Sequence, residues 1–122
     1  MSDRWSHPSG IIWETKACSY LQEKGFQIVE RNFRTRFGEI DIVAERSGEV
    51  YIVEVKARKG DRKGTAAEQM TPFKIRRLEK MASLYLLKSK LSNRPAHLSF
   101  VGFDIDANHT QVTFLPDITG AL

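Results

Sequence analysis

With 122 residues, 41% hydrophobic and 10% aromatic, the chain is sized for one folded domain around one core and is unlike a disordered segment. A single cysteine, Cys18, excludes a disulfide framework or a cysteine-rich zinc site within one chain, which fits a reducing cytoplasm. No apolar run reaches membrane-spanning length, the start "MSDRWSHPSG" lacks the apolar core of a secretory signal, and the formal charge is +4.

The charge is unevenly spread. Residues 31–80 hold thirteen Lys and Arg against eight Asp and Glu, whereas the remainder holds six against seven. That is a mild footprint for a polyanion, although a solvated basic surface would look the same on charge alone.

In chain order, residues 1–9 are expected to form a flexible N-terminal tail. "IIWETKACSYLQEK" (Ile11 to Lys24) reads as a helix closed by Gly25, with Ala17, Cys18 and Leu21 as its apolar stripe. "FQIVERNF" (Phe26 to Phe33) reads as a strand, and "GEIDIVAERSGEVYIVEVKARKG" (Gly38 to Gly60) as a hairpin of two more. After a polar, basic loop, Thr71 can cap a second helix with Pro72 at its first position. Ile75, Leu78, Ala82 and Tyr85 give that helix its buried stripe to about Lys90, and "LSFVGFDID" and "QVTFLPDI" read as closing strands. The first three strands form an antiparallel meander, and the strand–helix–strand step implies a parallel, right-handed crossover. The expectation is α/β, a mixed sheet of about five strands with helices on its faces, in the order αβββαββ.

A two-residue turn at Ser47-Gly48 makes paired hairpin positions sum to 95. Asp41 then falls opposite Glu54, Glu39 opposite Lys56 and Val43 opposite Ile52, all on one side. The other side carries Ile40, Ile42, Ala44, Tyr51, Val53 and Val55. Two carboxylates with Cβ atoms ~4.5–5.5 Å apart cost stability unless a cation or a proton intervenes. A divalent cation resolves the conflict, since carboxylates, a backbone carbonyl and waters suit Mg²⁺. The alternative is an ion-pair network in which Lys56 bridges Glu39. Glu14 shares the buried stripe of the first helix, where acids are uncommon unless paired or bound to metal.

An acidic helix residue, an Asp on one strand and Glu-x-Lys on the next resembles the PD-(D/E)xK nuclease superfamily, here as Glu14, Asp41 and Glu54-Val55-Lys56. The helix–meander–helix–strand frame resembles archaeal Holliday-junction resolvases and type II restriction enzymes. Over most of its length the chain also resembles the YraN-type family of small bacterial proteins. That likeness rests on Glu14 with Ala17 and Tyr20-Leu21, Gly25-Phe26, Asn32, Gly38-Glu39-Ile40-Asp41, Glu54-Val55-Lys56 with Arg58, and Lys74. Two features depart from the pattern. Gly102 stands where the late strand usually has an arginine, and no proline precedes Asp41.

The resemblance implies a single three-layer, restriction-endonuclease-like domain that cuts DNA phosphodiesters, structured or branched DNA included, with Mg²⁺ or Mn²⁺. Asp41, Glu54 and the carbonyl of Val55 would hold the metal, Glu14 a second metal or a metal-bound water, and Lys56 the attacking water. Glu39 faces the cluster in the hairpin register with Lys56 as its partner, and so stands behind the metal ligands. Arg58, Lys59, Arg62, Lys63, Lys74 and Arg77 would contact the nucleic-acid backbone, while Phe33 and Phe37 read as packing residues. A symmetric dimer would suit a junction cutter, because two cuts need two sites. The competing expectation is a nucleic-acid-binding or assembly protein that keeps the fold without catalysis.

Overall fold

Each element forms where its local signals are strongest. The computed structural model describes residues 8–60, 64–91 and 93–119. Helix α1 (Pro8–Glu23) is followed by strands β1 (Gln27–Thr35), β2 (Gly38–Arg46) and β3 (Glu49–Lys59). A 3₁₀ turn (Ala67–Gln69) then leads into helix α2 (Pro72–Lys88) and strands β4 (Ala96–Ile105) and β5 (Thr110–Leu115). Pro8 and Ser9 thus open α1 instead of belonging to a tail; residues 1–7 of the expected tail lie outside the described residues.

Helix ends explain the boundaries. Gly25 adopts φ 90°, and the N–H groups of Gly25 and Phe26 donate to the carbonyls of Gln22 and Leu21, both at 3.0 Å. This Schellman closure is what the glycine predicts. At the start of α2, the Lys74 N–H donates to the Thr71 hydroxyl at 3.3 Å. Its C-terminus is less legible. The same closure is made there by Lys90 at φ 63°, with the Leu91 N–H on the Leu86 carbonyl at 3.0 Å, so α2 stops at Lys88, short of Lys90.

The sheet order is β1-β2-β3-β4-β5, with β3 and β4 parallel and the other neighbours antiparallel. This is an α/β domain of three layers. Ala17, Cys18 and Leu21 of α1 pack on Ile42, Ala44, Tyr51, Val53, Val55, Val101 and Phe103 on one face. Ile75, Leu78, Met81, Ala82 and Tyr85 of α2 pack on Val43, Ile52, Leu98 and Phe100 on the other. The hairpin register holds from Arg46–Glu49 to Ile42–Val53, around a turn with φ 54° at Ser47 and 80° at Gly48. Both values suit a type I′ turn.

One residue departs from the expected alternation. Ile40 packs with the α2-side core and not on the α1 side with Ile42. The β2–β3 ladder ends at Ile42–Val53, after which β2 stays with β1 while β3 continues beside β4 as far as Lys59–Ile105. Released from β3, β2 is free to twist with β1, and its face assignment changes across Asp41.

The end of the sheet opposite that divergence is tied by His97. Its ring stacks on Tyr51 with centroids 4.7 Å apart, Nε2 lies 2.5 Å from Glu49, and Nδ1 lies 3.3 Å from Asp117. Burial opposes a charged ring, but the two carboxylates outweigh it and raise the His97 pKa above the ordinary histidine value. Such a group stabilises the fold fully below the unfolded-state pKa of about 6.5, and its contribution is lost as pH rises through the higher folded value. The melting temperature of wild type should therefore fall, relative to His97→Asn, as pH is raised from 6 towards 9. Parallel pH profiles for the two proteins would remove His97 from the linkage.

Candidate functional site at the divergence of β2 and β3

The fork between β2 and β3 is created by the end of their ladder at Ile42–Val53, and Asp41 and Glu54 occupy the next positions along each strand. The strand pairings of Asp41 with Glu54 and of Glu39 with Lys56, expected from an unbroken hairpin, are therefore not made. Asp41 is fully buried, and its Oδ2 accepts the Val55 N–H at 2.7 Å. A side-chain carboxylate thus takes the place that a ladder carbonyl would hold, and it does so with a charge-assisted bond. Alternation along β3 puts Glu54, Lys56 and Arg58 on the α2-facing side with Ile52. Glu54 and Lys56 are half-buried, opposite Phe100 and Gly102 of β4.

Glu14 is only 1% exposed, although it carries a carboxylate. Its Oε1 accepts from Arg31 Nε at 3.0 Å and Nη2 at 2.5 Å, and its Oε2 accepts from Asn32 Nδ2 at 2.5 Å. Asn32 sits at φ 54° between the paired residues Arg31–Ile42 and Phe33–Ile40. Asparagine tolerates this left-handed backbone better than most residues. The clamp pins α1 to β1 beside Asp41. The sequence alone does not single out Arg31, because an arginine next to an asparagine on an exposed edge strand gives little signal until α1 is docked.

The remaining predicted residues spread around the carboxyl end of β3. Glu39 is half-buried and accepts from Arg34 Nη2 at 3.1 Å. Arg58 is half-buried with its Nε shielded from solvent, and Lys59 is exposed. Arg62 and Lys63 lie outside the described residues. The loop is anchored where Ala66, itself buried, donates its N–H to Asp104 Oδ1 at 2.8 Å. Lys74 is half-buried in the first turn of α2, and Arg77 is exposed one turn on. At position 102 a Cβ would lie 2.6 Å from a ring carbon of Phe100 and 3.1 Å from the Cβ of Ala66. Phe100 is fully buried, so the glycine is a packing requirement and the space for an arginine is already filled.

Among the described residues, no three His, Cys, Asp or Glu side chains converge as a metal cluster. The donors at the fork are instead two carboxylates and backbone carbonyls, all hard oxygens. Mg²⁺ fits that set, because it keeps several waters and needs only one or two carboxylates from protein. Among the same residues no helix is long and apolar enough to cross a membrane.

Comparison with known proteins accounts for most of the chain. Residues 13–107 match the family described as "Uncharacterised protein family UPF0102". A UPF0102 protein of Syntrophomonas wolfei subsp. wolfei is 42% identical over 96 residues, covering 79% of each chain. One from Mycolicibacterium vanbaalenii is 34% identical over 110 residues, covering 90% of this chain and 87% of its own. Both the clamp residues Glu14, Arg31 and Asn32 and the fork residues Asp41, Glu54 and Lys56 lie within the matched segment, and the chain belongs to the UPF0102 family.

Proposed function

We propose that this protein is a divalent-metal-dependent endonuclease acting on DNA phosphodiesters, with a nuclease-like fold and with its site at the β2–β3 fork. The observation that supports the reading best is the fully buried Asp41, oriented by the Val55 N–H at the point where β3 brings in Glu54 and Lys56. Asp41, Glu54 and the carbonyl of Val55 would hold Mg²⁺ or Mn²⁺, with Glu14 behind them, supporting the site through its clamp on β1. When bound, the cation would polarise a phosphate oxygen and lower the pKa of a bound water.

The chain's own part is positioning and charge. The Val55 N–H fixes the direction of the Asp41 carboxylate, so little reorganisation is needed when the substrate arrives. Lys56 would orient the attacking water and offset negative charge developing on the phosphate. Arg58, Lys59, Lys74 and Arg77 would meet neighbouring phosphates, with Arg62 and Lys63 extending that set along the loop. Cutting both strands with one site per chain would call for a symmetric dimer.

The test is cleavage of linear, flapped and four-way DNA in Mg²⁺ or Mn²⁺, with a chelator control. Lys56→Met should retain cation binding by calorimetry and lose at least ~10²-fold in cleavage rate, the scale for removing one donor to developing charge. A variant as fast as wild type would take Lys56 out of the chemistry. The second reading is a non-catalytic nucleic-acid-binding or assembly protein. It draws on the commitment of both Glu14 oxygens to Arg31 and Asn32. DNA binding without cleavage of any substrate in either metal would favour it.

A further inference from the structure

Helix α2 carries an aromatic ring where its packing gives no reason for one. Phe73 is 65% exposed, and it lies across the helix from the buried stripe of Ile75, Leu78, Ala82 and Tyr85. Its neighbours at i+3, i+4 and i+7 are Arg76, Arg77 and Lys80, all exposed, so one ring and three cations share a single outer face. Glu79 lies one flank away and is the acid nearest in sequence to that stripe. The face does not end with the helix. Lys80 Nζ sits 5.6 Å from the centroid of the Phe37 ring, and the Arg36 guanidinium lies 5.2 Å from the same ring. Phe37 is half-buried against the α2-side core, and the cations beside it carry the basic surface onto the β1–β2 turn.

That turn feeds directly into the fork. Met81 Sδ would be 3.4 Å from a Cβ at Gly38, so α2 packs closely on the start of β2. Phe37 precedes Asp41 by four residues, about 13 Å of extended strand.

An exposed ring set among cations suits a ligand that presents flat π-faces beside phosphates. Duplex DNA hides its base faces in the stack, whereas a single strand offers them. We infer that the outer face of α2, with Phe73, Arg76, Arg77 and Lys80, and the adjoining Arg36–Phe37 turn form a stacking platform for single-stranded DNA. The inference rests on the reading of the fork as a DNA-cutting site and names its substrate class: DNA with an unpaired segment beside the cut. Phe73 takes a base face, while the cations follow the backbone and add a salt-dependent attraction without sequence preference.

Fluorescence anisotropy with a labelled twelve-residue oligothymidylate and a twelve-base-pair duplex, in chelator so that nothing is cut, tests the inference. Wild type should prefer the single strand. Phe73→Ala removes an exposed ring without opening the core, and it should weaken oligothymidylate binding about tenfold while changing duplex binding less than twofold. Phe73→Trp should keep the preference and show tryptophan quenching on addition of the single strand. Equal binding of the single strand by wild type and Phe73→Ala would overturn the inference, as would equal losses on both DNAs or no single-strand binding by wild type, which would leave the ring to a protein partner. Cleavage is read separately in Mg²⁺. A protein that discriminates through Phe73 but cuts nothing refutes the nuclease reading alone, and one that cuts duplex DNA with Phe73 indifferent refutes the platform alone.

Discussion

Asp41→Asn is expected to abolish the heat of Mg²⁺ binding and to lower DNA cleavage by at least ~10²-fold, while leaving the metal-free fold within ~1 kcal/mol of wild type. In the metal-free protein, replacing a carboxylate by an amide oxygen weakens the bond from the Val55 N–H by ~1 kcal/mol or less. The fold survives because asparagine can still accept that N–H. Asp41→Ala cannot, and it should cost ~1–3 kcal/mol by leaving a buried donor unmet. Metal linkage separates stability from function. At a hundredfold excess over its dissociation constant, Mg²⁺ should stabilise wild type by ~2.7 kcal/mol and Asp41→Asn by nothing. A thermal shift of equal size in both proteins would place the metal elsewhere or nowhere.

The architecture was legible because its signals are local. The Ser47-Gly48 turn set the register, the register set two faces, and Val43 and Ile52 do lie opposite Ile42, Ala44, Tyr51, Val53 and Val55. Ile40 broke the pattern because a strand alternates predictably only while its neighbours hold it, and β2 loses β3 at Ile42. The same loss makes Asp41 an acceptor for Val55, which a pairing diagram with an unbroken ladder cannot contain. Glu14 was visible as an acid on a buried stripe. Its partners were not, since Arg31 and Asn32 are seventeen and eighteen residues away and meet it only when α1 docks on β1. Lys90 in the left-handed region was hidden for another reason: the closure it makes is usually announced by glycine. Phe73 was readable as part of the second helix, but its exposure depended on which face the sheet would cover.

Arg31→Met should be the most destabilising of these substitutions, because it removes the cation from a carboxylate that is only 1% exposed. Breaking one side of a buried pair typically costs ~3–5 kcal/mol, since the remaining charge is left without compensation. The Arg31 side chain is 37% exposed, which favours the lower end, about 3 kcal/mol and a fall in melting temperature on the order of 10 °C. Replacing the whole clamp should cost much less. Glu14→Met with Arg31→Met substitutes apolar packing for the pair, and Asn32→Gly removes the stranded amide while accepting the positive φ. If the triple variant melts no higher than Arg31→Met alone, the buried charge is not what made the single variant unstable. If stability returns, the folded triple variant then reports on Glu14 itself. An intact Mg²⁺-dependent thermal shift would confine Glu14 to holding α1 on β1, whereas its loss in a stable protein would put the Glu14 carboxylate within the metal's reach.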